Sequence, residues 1–346
     1  MVTRADVASL ANVSPAVVSY VINGGPRPVS REARARVNAA IEALDYRPNA
    51  VASALRGGST KNVGLLIPSP VNPYFAELAE VIEHELLQAG YLLSIGITHE
   101  DAKLQRTHVR SLIDRRVDGL LLISSDALAK IREHKEQLPP IVVVDRVDDT
   151  DSTSCVHVDN IQGAATAVEH LQSWGHRRIA CISGPWPLRT SKDRVQGWRE
   201  QQRRASAPHS PDLVAQGAFT PQGGAEAATS LLSPEHRMPG YDVPTAVFVS
   251  SDAQAHGVLH ACSSLGLRVP EDISIVSFDG TQSARFTQPP LTTLRQPLKD
   301  IGASAVRLLL ARIASPKEPK ETLVFQGNLV VGGSCAPPKG CPGTVP

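Results

Sequence analysis

Apolar residues recur at the spacing of one helix face in three short segments at the start of the chain. They predict helices at residues 4–10, 15–23 and 31–44, each after a residue that can cap a helix: Thr3, Ser14 and Ser30. Asn12 favours a tight turn between the first two helices, because asparagine tolerates the left-handed backbone conformation. Two short helices joined in this way predict a helix-turn-helix, whose second helix fits the major groove of DNA. A plain three-helix bundle is the alternative.

A further helix is predicted at residues 49–56, where Asn49 can cap it and a pair of glycines ends it. Eight residues are too few for a helix that is stable on its own. We therefore expect this segment to be disordered until it binds a partner. The resulting division is a head at residues 1–47, followed by a hinge helix and linker at residues 48–61.

From residue 62 onward, short continuous apolar runs alternate with helical patterns, which is typical of a parallel sheet covered by helices. The runs predict strands at residues 63–68, 91–97, 119–123 and 141–145, and, after a restart near residues 156–160, at residues 179–183, 213–216, 246–250 and 273–278. Strands at residues 291–295 and 323–331, with a helix at residues 298–313, are expected to cross between the two groups. The fold class is therefore α/β, with two doubly wound lobes at residues 62–331. Residues 332–346, rich in proline and glycine, predict a disordered tail.

The composition is that of an ordinary soluble globular protein, with 42% hydrophobic and 20% charged residues. No apolar run approaches the ~18 residues of a membrane span. The N-terminus lacks the charged and then apolar layout of a signal peptide, so we expect a cytoplasmic protein without membrane contact. The five cysteines are scattered and contain no C-x-x-C pair, which argues against a disulfide scaffold or a structural zinc site.

The net charge of +1 conceals an asymmetry along the chain. Residues 1–61 contain seven arginines and one lysine against four acidic residues, a net charge of +4. Residues 62–346 carry 27 basic and 30 acidic residues. A basic head on a mildly acidic body indicates that the head meets a polyanion, and a solvated basic surface is the alternative.

The chain lacks three short motifs that are typical of enzymes: G-x-S-x-G, H-E-x-x-H and G-x-G-x-x-G. Residues 58–61, Gly-Ser-Thr-Lys, lack the glycine spacing of a phosphate-binding loop. The eleven histidines offer no pair four residues apart on one helix face with a third ligand nearby. We therefore predict neither an enzyme nor a resident cofactor or metal.

Several sequence motifs of the head keep a fixed order and spacing: Asp6-Val7-Ala8, Ala11-Asn12-Val13-Ser14, Val17-Val18-Ser19, Val21-Ile22-Asn23 and Tyr46-Arg47-Pro48-Asn49-Ala50-Val51-Ala52. They resemble the LacI (lactose-repressor) family of bacterial transcription regulators, and within it the purine-repressor branch. The resemblance extends over about residues 2–331. It implies a helix-turn-helix head and hinge helix joined to a two-lobed, periplasmic-binding-protein-like (type I) body. The implied function is a sequence-specific DNA-binding regulator, most simply a repressor, controlled by a small-molecule effector.

The resemblance also implies which residues meet DNA. The base-reading positions of the family correspond here to Pro15, Ala16 and Tyr20. Its positions at phosphates or base edges correspond to Ser14, Val17, Ser19 and Asn23. Its hinge positions at DNA correspond to Ala52, Leu55 and Arg56. Leu55 is the expected apolar wedge in the minor groove, with packing between domains as the alternative. Tyr20 cannot grip guanine by two hydrogen bonds as arginine does, so the operator sequence stays open.

Ligands of open α/β sheets lie beyond the carboxyl ends of the strands, so effector contacts are expected in loops that follow strands. The candidates there are Tyr74, Phe75, Asp159, Thr190, Arg194, Phe219, Ser251, Asp252 and Asp279. Aromatic faces, one arginine and several carboxylates suit a small polyhydroxylated or heterocyclic ligand. The alternative for Phe75 is a core position, and for Asp159 and Asp252 it is helix capping. Arg194 and Asp279 match the family's ligand positions best, and a salt bridge across the cleft is their alternative.

The purine-repressor branch carries an arginine at the position of Leu188, and the adjacent Arg189 leaves open whether it substitutes. We therefore expect a sugar or related metabolite as the effector. The expected partners are a pseudopalindromic double-stranded DNA operator and a second copy of the chain in a homodimer, with a tetramer as the alternative. Two other functions stay open: a sugar-binding receptor protein without DNA binding, and a transcriptional activator with a purine-type corepressor.

Overall fold

The computed structural model describes residues 2–23, 27–47, 59–124, 138–147, 153–233 and 243–339. The chain divides into two compact units, Met1–Thr60 and Lys61–Pro346, which we call the head and the body. The boundary between the units falls at the end of the predicted linker. The predicted hinge helix, and the helix expected between the strands at residues 119–123 and 141–145, lie outside the described residues.

The head contains the three predicted helices, α1 (Arg4–Leu10), α2 (Pro15–Asn23) and α3 (Arg31–Ala43). The caps are those expected. In each helix, a backbone N–H of the first turn donates a hydrogen bond to the hydroxyl of the predicted cap, which is Thr3, Ser14 or Ser30. Asn12 has a φ of 50°, and the turn bends α2 by 104° from α1, which confirms the helix-turn-helix. Among the described residues, no single helix is long and apolar enough to cross a membrane, although α1 and α2 pass that test as a bent pair.

The first lobe of the body is built on a six-stranded parallel sheet. Its strands are β1 (Asn62–Ile67), β2 (Leu92–Ile97), β3 (Gly119–Ser124), β4 (Ile141–Arg146), β5 (Ser154–Val158) and β11 (Thr322–Phe325). Their order across the sheet is β2-β1-β3-β4-β5-β11. Helices α4 (Pro73–Gln88) and α10 (Leu298–Ala314) pack on one face, and α5 (Ala102–Asp114) packs on the other. Every residue of β4 is buried, which explains its continuous apolar run.

The second lobe repeats this arrangement. Its strands are β6 (Ile179–Ser183), β7 (Val214–Gln216), β8 (Ala246–Val249), β9 (Ser274–Asp279), β10 (Thr292–Arg295) and β12 (Asn328–Val330), in the order β7-β6-β8-β9-β10-β12. Only β12 runs antiparallel to its neighbour among these described strands. Helices α6 (Asn160–Ser173) and α7 (Arg189–Arg204) cover one face, and α8 (Pro221–Leu232) and α9 (Asp252–Ser264) cover the other.

The chain crosses between the lobes after β5, after β10 and between β11 and β12. The single strand predicted at residues 323–331 is therefore wrong, because its two halves join different sheets. Gly327 lies at this crossing, where an added Cβ would come within 2.8 Å of Leu294 Cδ2. One glycine inside an apolar run was the sole local signal of the break, and the pairing partners that decide it are distant in sequence.

The predicted disordered tail is wrong for residues 332–339, which are bound to the second lobe. Ser334 is fully buried, and its hydroxyl accepts from Thr292 N and donates to the Ile275 carbonyl. Ala336 N donates to Ser274 Oγ at 3.0 Å. Proline and glycine content predicted disorder here, but the segment completes backbone hydrogen bonds at the ends of β9 and β10. Residues 340–346 lie outside the described residues.

Candidate functional site

A pocket between the two lobes collects side chains from the carboxyl ends of strands in both sheets. The lining residues are Asn72, Tyr74, Phe75, Asp145 and Arg146 from the first lobe and Thr190, Arg194, Phe219, Ser251 and Asp279 from the second. The space among them, with its open mouth, is about 250 Å³.

Seven of the nine predicted effector residues line the pocket, and Asp159 and Asp252 do not. Asp159 caps α6, because its Oδ1 accepts from Gln162 N at 2.9 Å. The capping alternative for Asp159 therefore holds, and the structure places the residue outside the pocket lining. The residue type after a strand did not separate the two roles, because a helix N-terminus also favours aspartate.

Asp252 is fully buried behind the pocket and is not a lining residue. Its carboxylate accepts four hydrogen bonds, from Ser277 Oγ, Thr293 Oγ1, Thr281 Oγ1 and Thr281 N. The cap of α9 is Ser251, so the capping alternative for Asp252 is wrong, and the residue lies outside the pocket lining. The bonds to Thr281 instead fix the loop that follows Asp279.

Arg194 is 4% exposed and is held by neutral groups of its own lobe. Its Nε donates to Asn160 Oδ1 at 2.8 Å, and its Nη1 donates to the Ser250 carbonyl. The guanidinium carbon lies 3.8 Å from the centre of the Phe278 ring. Asp279 Oδ1 lies 3.5 Å from Nη1, beyond ordinary hydrogen-bond length. At this distance the two side chains form an ion pair, as the alternative for them predicted, but it lies within the second lobe rather than across the cleft. Nη2 has no hydrogen-bond partner among the described residues.

The two lobes each present one aspartate at an equivalent place. Strands β4 and β9 occupy the same position in their sheets, and Asp145 and Asp279 near their ends have φ values of 69° and 112°. Residues other than glycine hold such conformations at a cost of about 1–3 kcal/mol, and these conformations cluster at functional sites. Sequence reasoning missed Asp145, although it ends the strand predicted at residues 141–145. Treating the two lobes as a repeat would have identified it as the counterpart of Asp279.

A chain of polar contacts joins these aspartates. Tyr74 Oη lies 3.1 Å from both Asp145 Oδ1 and Gln296 Oε1, and Gln296 Nε2 lies 3.0 Å from Asp279 Oδ1. Burial, together with the charges of Asp145 and Asp279, raises the pKa of Tyr74 well above its ordinary value, so the phenol keeps its proton. Burial also raises the pKa of Asp279 well above its ordinary value, although Arg194 acts in the opposite direction. Gln296 directly follows β10 in the loop to α10, where effector contacts are expected, but nothing in the sequence distinguished this uncharged amide as a contact.

Arg146 is the second guanidinium of the pocket and was also missed. Its guanidinium carbon lies 5.3 Å from the centre of the Phe75 ring and 5.5 Å from that of Phe219, so it contacts aromatic rings of both lobes. Its Nη1 donates to Glu100 Oε1 at 3.0 Å. Nothing in the sequence distinguished this arginine from the other charged residues that follow strands.

Two lining residues offer hydrogen-bonding groups to a ligand. Asn72 caps α4 through its Oδ1, which accepts from Tyr74 N, and within the described ranges its amide nitrogen has no partner. Thr190 is 3% exposed, and its hydroxyl has none there either. Together with Arg194 Nη2, these groups offer a set of hydrogen-bond donors to a ligand in the pocket.

Aromatic packing shapes the rest of the pocket. The Phe219 ring lies directly over Gly184, where an added Cβ would be 2.1 Å from the ring atom Cζ. Phe75 is 3% exposed and belongs to the core of the first lobe, as its alternative predicted, and it also lines the pocket. In the part of the chain that the structure describes, no group of three or more histidine, cysteine, aspartate or glutamate side chains is arranged to hold a metal ion.

In the head, the N-terminal end of α2 is open to solvent. Ser14, Pro15 and Ala16 are exposed, while Val17, Ser19 and Tyr20 are partly buried. The opposite face of α2 packs on the head core through Val18, which is fully buried. Small exposed side chains at a helix N-terminus allow close approach to a duplex. The side chain of Asn23 and the hinge residues Ala52, Leu55 and Arg56 lie outside the described residues, and the DNA contacts of the whole set stay predictions.

Comparison with known proteins covers both units. Residues 3–49 match bacterial regulatory proteins of the lacI family, and residues 168–335 match a periplasmic binding protein-like domain. The HTH-type transcriptional repressor PurR of Klebsiella pneumoniae (strain 342) is 37% identical over 339 residues, which cover 97% of each chain. Among solved structures, the Lac repressor dimer bound to operator and the anti-inducer ONPF has a TM-score of 0.85 at 27% identity, covering 97% of this chain and 99% of that one. A complex of the transcriptional regulator CelR with cellobiose has a TM-score of 0.72 at 30% identity, covering 96% and 100%.

These relatives extend over head and body alike, and they are regulators of transcription rather than enzymes. The confirmed helix-turn-helix and the two-lobed body with its interlobe pocket are the two parts that such a regulator needs. The protein is a DNA-binding transcriptional repressor with an effector-binding body, and the chain belongs to the LacI family of bacterial regulatory proteins.

Proposed function

We propose that a sugar or a related polyhydroxylated metabolite binds in the pocket between the lobes and controls how tightly the head binds its operator. The observation that carries this proposal is the mixture of groups in the pocket. Arg194 and Thr190 present donors without partners, Asp145 and Asp279 present carboxylates, and the Phe219 ring lies beside them. Carboxylates accept from neighbouring hydroxyls, and an aromatic face packs on a sugar ring.

A relative of similar structure supports this ligand class. The regulator CelR, whose solved structure holds cellobiose, aligns over nearly the whole chain.

A purine is the second candidate, because the PurR repressors are 37% identical to this chain over nearly its whole length. Two observations weigh against it. Leu188, at the position where the purine-repressor branch carries arginine, is an apolar residue that does not line the pocket. The guanidinium of the neighbouring Arg189 pairs with Asp193 Oδ1 at 2.7 Å on the surface of α7, which argues against its taking that role.

The expected DNA-binding form is a homodimer on a pseudopalindromic operator, since two heads related by a twofold axis match a twofold DNA site. The Lac repressor, at 27% identity, is solved as a dimer bound to operator. The edge strand β2 exposes Leu92 and Ile95, at 66% and 53%, which suits burial against a second copy. Because its target is genomic DNA, we place the protein in the cytoplasm.

The expected link between pocket and DNA is the hinge segment. A short helix that forms only on DNA is a bistable element, and closure of the cleft would change how easily two such helices meet in the dimer. Replacement of Leu55 by alanine is expected to remove the wedge in the minor groove, and with it specific operator affinity. Weak, salt-sensitive binding by the heads should remain in that variant. Normal operator binding by Leu55→Ala would show that the wedge is absent.

A thermal-shift screen of sugars, phosphosugars and purines on the full-length protein tests the effector class. A compound at 100 times its Kd stabilises the folded state by about 2.7 kcal/mol. We expect a sugar to raise the unfolding temperature of the wild type but not of Arg194→Ala, and Arg189→Ala is the matched control that should respond normally. If purines alone raise the unfolding temperature, the effector is a purine rather than a sugar. A sugar response that persists in Arg194→Ala would remove the pocket assignment.

A further inference from the structure

One hydrogen bond joins the two lobes between segments that both supply pocket residues. Gln282 N, in the loop after Asp279, donates to Glu77 Oε1 on α4 at 2.8 Å. The two residues are 205 positions apart in the chain and belong to different lobes. A carboxylate that accepts from a backbone N–H makes a charge-assisted hydrogen bond, which is stronger than a neutral one. Because such a bond does not survive beyond about 3.5 Å, movement of one lobe relative to the other would break it.

The second-lobe side of this contact is a loop held firmly to its own lobe. The turn after Asp279 needs glycine at Gly280, which has a φ of 70° and where an added Cβ would lie 2.3 Å from a backbone atom of β10. Thr281 donates both its N–H and its hydroxyl to the buried Asp252. The loop therefore holds Gln282 in a fixed position relative to Asp279.

The first-lobe side is the start of α4. Tyr74 and Phe75 in the first turn of this helix line the pocket, and Glu77 follows in the second turn. Asn72 Oδ1 accepts from Tyr74 N at 3.1 Å and caps this end of the helix. Because neighbouring turns of a hydrogen-bonded helix move together, Glu77 keeps a fixed position relative to the two aromatic residues.

The N–H of Gln282 depends on the other lobe for its acceptor. Gln282 begins a short 3-10 turn, Gln282–Phe286, and the residue before such a turn commonly accepts from its first N–H groups. That residue is Thr281, whose hydroxyl donates to Asp252 and forms no cap. Within the described ranges, Glu77 is the acceptor that takes its place.

We propose that Glu77 is a positioning residue of the pocket, which holds the loop of Asp279 against α4. The bond favours the arrangement of the lobes in which Asp279 lies opposite Tyr74 and Phe75. Glu77 does not line the pocket itself, so it acts through these residues. Since both ends of the contact are fixed within their lobes, opening the bond requires the lobes to move apart.

The consequence for the effector rests on the proposed function. A ligand that contacts both lobes needs the same arrangement, so ligand binding and the bond between Glu77 and Gln282 should favour each other. The tests below use the protein without added small molecules, and their failure would leave the effector class untouched. A pocket that binds no sugar would, in turn, leave this contact between the lobes untouched.

Hydrogen exchange of the full-length protein measures the bond at the Gln282 amide, because a bonded N–H exchanges when its bond opens. In Glu77→Ala this amide should exchange about tenfold faster than in the wild type. Glu77→Gln should be intermediate, since its amide oxygen accepts but carries no charge. The matched control is Glu80→Ala, which removes an exposed carboxylate from the same helix and should leave the rate unchanged. Equal rates in the wild type and in Glu77→Ala overturn the proposal.

The Thr281 amide separates movement of the lobes from loosening of the loop. Its acceptor, Asp252, lies in the same lobe, so its exchange in Glu77→Ala should match that of the wild type. If the Thr281 amide speeds up together with that of Gln282, Glu77 supports only the local fold of the loop, and its role in placing the lobes is refuted.

A double-mutant cycle with Gln282→Pro tests whether Glu77 acts through this N–H. Proline has no N–H and fits the first residue of a helical turn, and Thr281 before it already has the extended backbone that a following proline requires, with a ψ of 159°. In guanidinium chloride unfolding, Glu77→Ala should raise the unfolding equilibrium constant about tenfold in the wild type and less than twofold in Gln282→Pro. Equal effects in the two backgrounds would show that Glu77 does not hold the loop, and the proposal would fall.

Discussion

The two lobes have the same strand order and place one aspartate at the same point of the pocket, but they support it differently. In the second lobe, Asp252 binds Thr281 and fixes the loop after Asp279 from within that lobe. In the first lobe, Tyr74 contacts Asp145 but also reaches across to Gln296, and Arg146 lies over Phe219 of the other lobe. Both walls take a partner across the cleft, because Gln282 N in the loop after Asp279 donates to Glu77 Oε1 of α4 at 2.8 Å. The lobes differ instead in internal support, which the four hydrogen bonds to Asp252 supply in the second lobe.

The largest expected effect tests the internal support of the second lobe. Asp252→Ala leaves four buried donors without their acceptor, so the free energy of unfolding should fall by about 3–5 kcal/mol. Asp145→Ala, the matched change in the first lobe, removes a carboxylate with one hydrogen bond and should cost about 1–2 kcal/mol. Both are measured by guanidinium chloride unfolding. Equal losses would show that the lobes do not differ in this way.

A smaller effect concerns the tail that is bound to the second lobe. His176 lies between Thr245 Oγ1 and the Ala336 carbonyl at 2.9 Å each, and burial lowers its pKa from 6.5 to about 4. Its neutral form is favoured by folding, so this stabilisation is complete above pH 6.5 and is lost as the pH falls toward 4. The loss should be at most about 1.4 kcal/mol per pH unit in wild type relative to His176→Gln, measured by unfolding at pH 7 and pH 5. A difference that does not change with pH would contradict a buried neutral histidine.

A change at the pocket itself should affect binding more than folding. Gly184→Ala forces the Phe219 ring away from its place, because the added Cβ would lie 2.1 Å from Cζ. Such overpacking costs about 1–3 kcal/mol of folding free energy when the neighbouring atoms cannot move. The Phe219 ring can turn into the pocket, so the free energy of unfolding should change little. Effector affinity should instead fall about tenfold, because the ring no longer lies where the effector meets it. Calorimetry measures the effector affinity of the wild type, of Gly184→Ala, of Phe219→Ala and of the double variant. If Gly184→Ala weakens binding further in the Phe219→Ala background, the ring is not the cause.

The smallest expected effect tests the link across the cleft. Tyr74→Phe removes one hydroxyl and leaves the ring, so the free energy of unfolding should fall by about 1 kcal/mol. Tyr91→Phe is the matched control within the first lobe, where the hydroxyl contacts Lys61. Denaturant midpoints measure both. A loss no larger in Tyr74→Phe than in Tyr91→Phe would mean that the bridging hydroxyl adds nothing.

Local patterns in the sequence predicted the head helices, their caps and most strands, because spacing, capping residues and apolar runs act within a few residues. They did not predict that residues 323–331 divide between two sheets, since the choice of sheet edge depends on distant strands. The prediction of a disordered tail was wrong for the same reason. Ser334 is ordered by hydrogen bonds to β9 and β10, and composition does not reveal such distant partners.

Prediction of the site residues from the sequence was limited in the same way. The rule that ligands meet strand ends found seven lining residues, because it depends on topology that the pattern predicts. It also admitted Asp159 and Asp252, since a residue type does not say which way its side chain points. It omitted Asp145 and Arg146, which become prominent only when β4 is seen to be the counterpart of β9.

Operator affinity measured with and without effector tests the central claim most directly. Fluorescence anisotropy would follow wild type and Arg194→Ala on DNA from upstream of the gene, with the compound that the thermal-shift screen identifies. We predict that saturating compound changes the wild-type operator Kd by about 5–150-fold, the usual range of coupling between two sites. Arg194→Ala should bind DNA equally well and fail to respond. An unchanged wild-type Kd, or a normal response in Arg194→Ala, would contradict control of the head through this pocket.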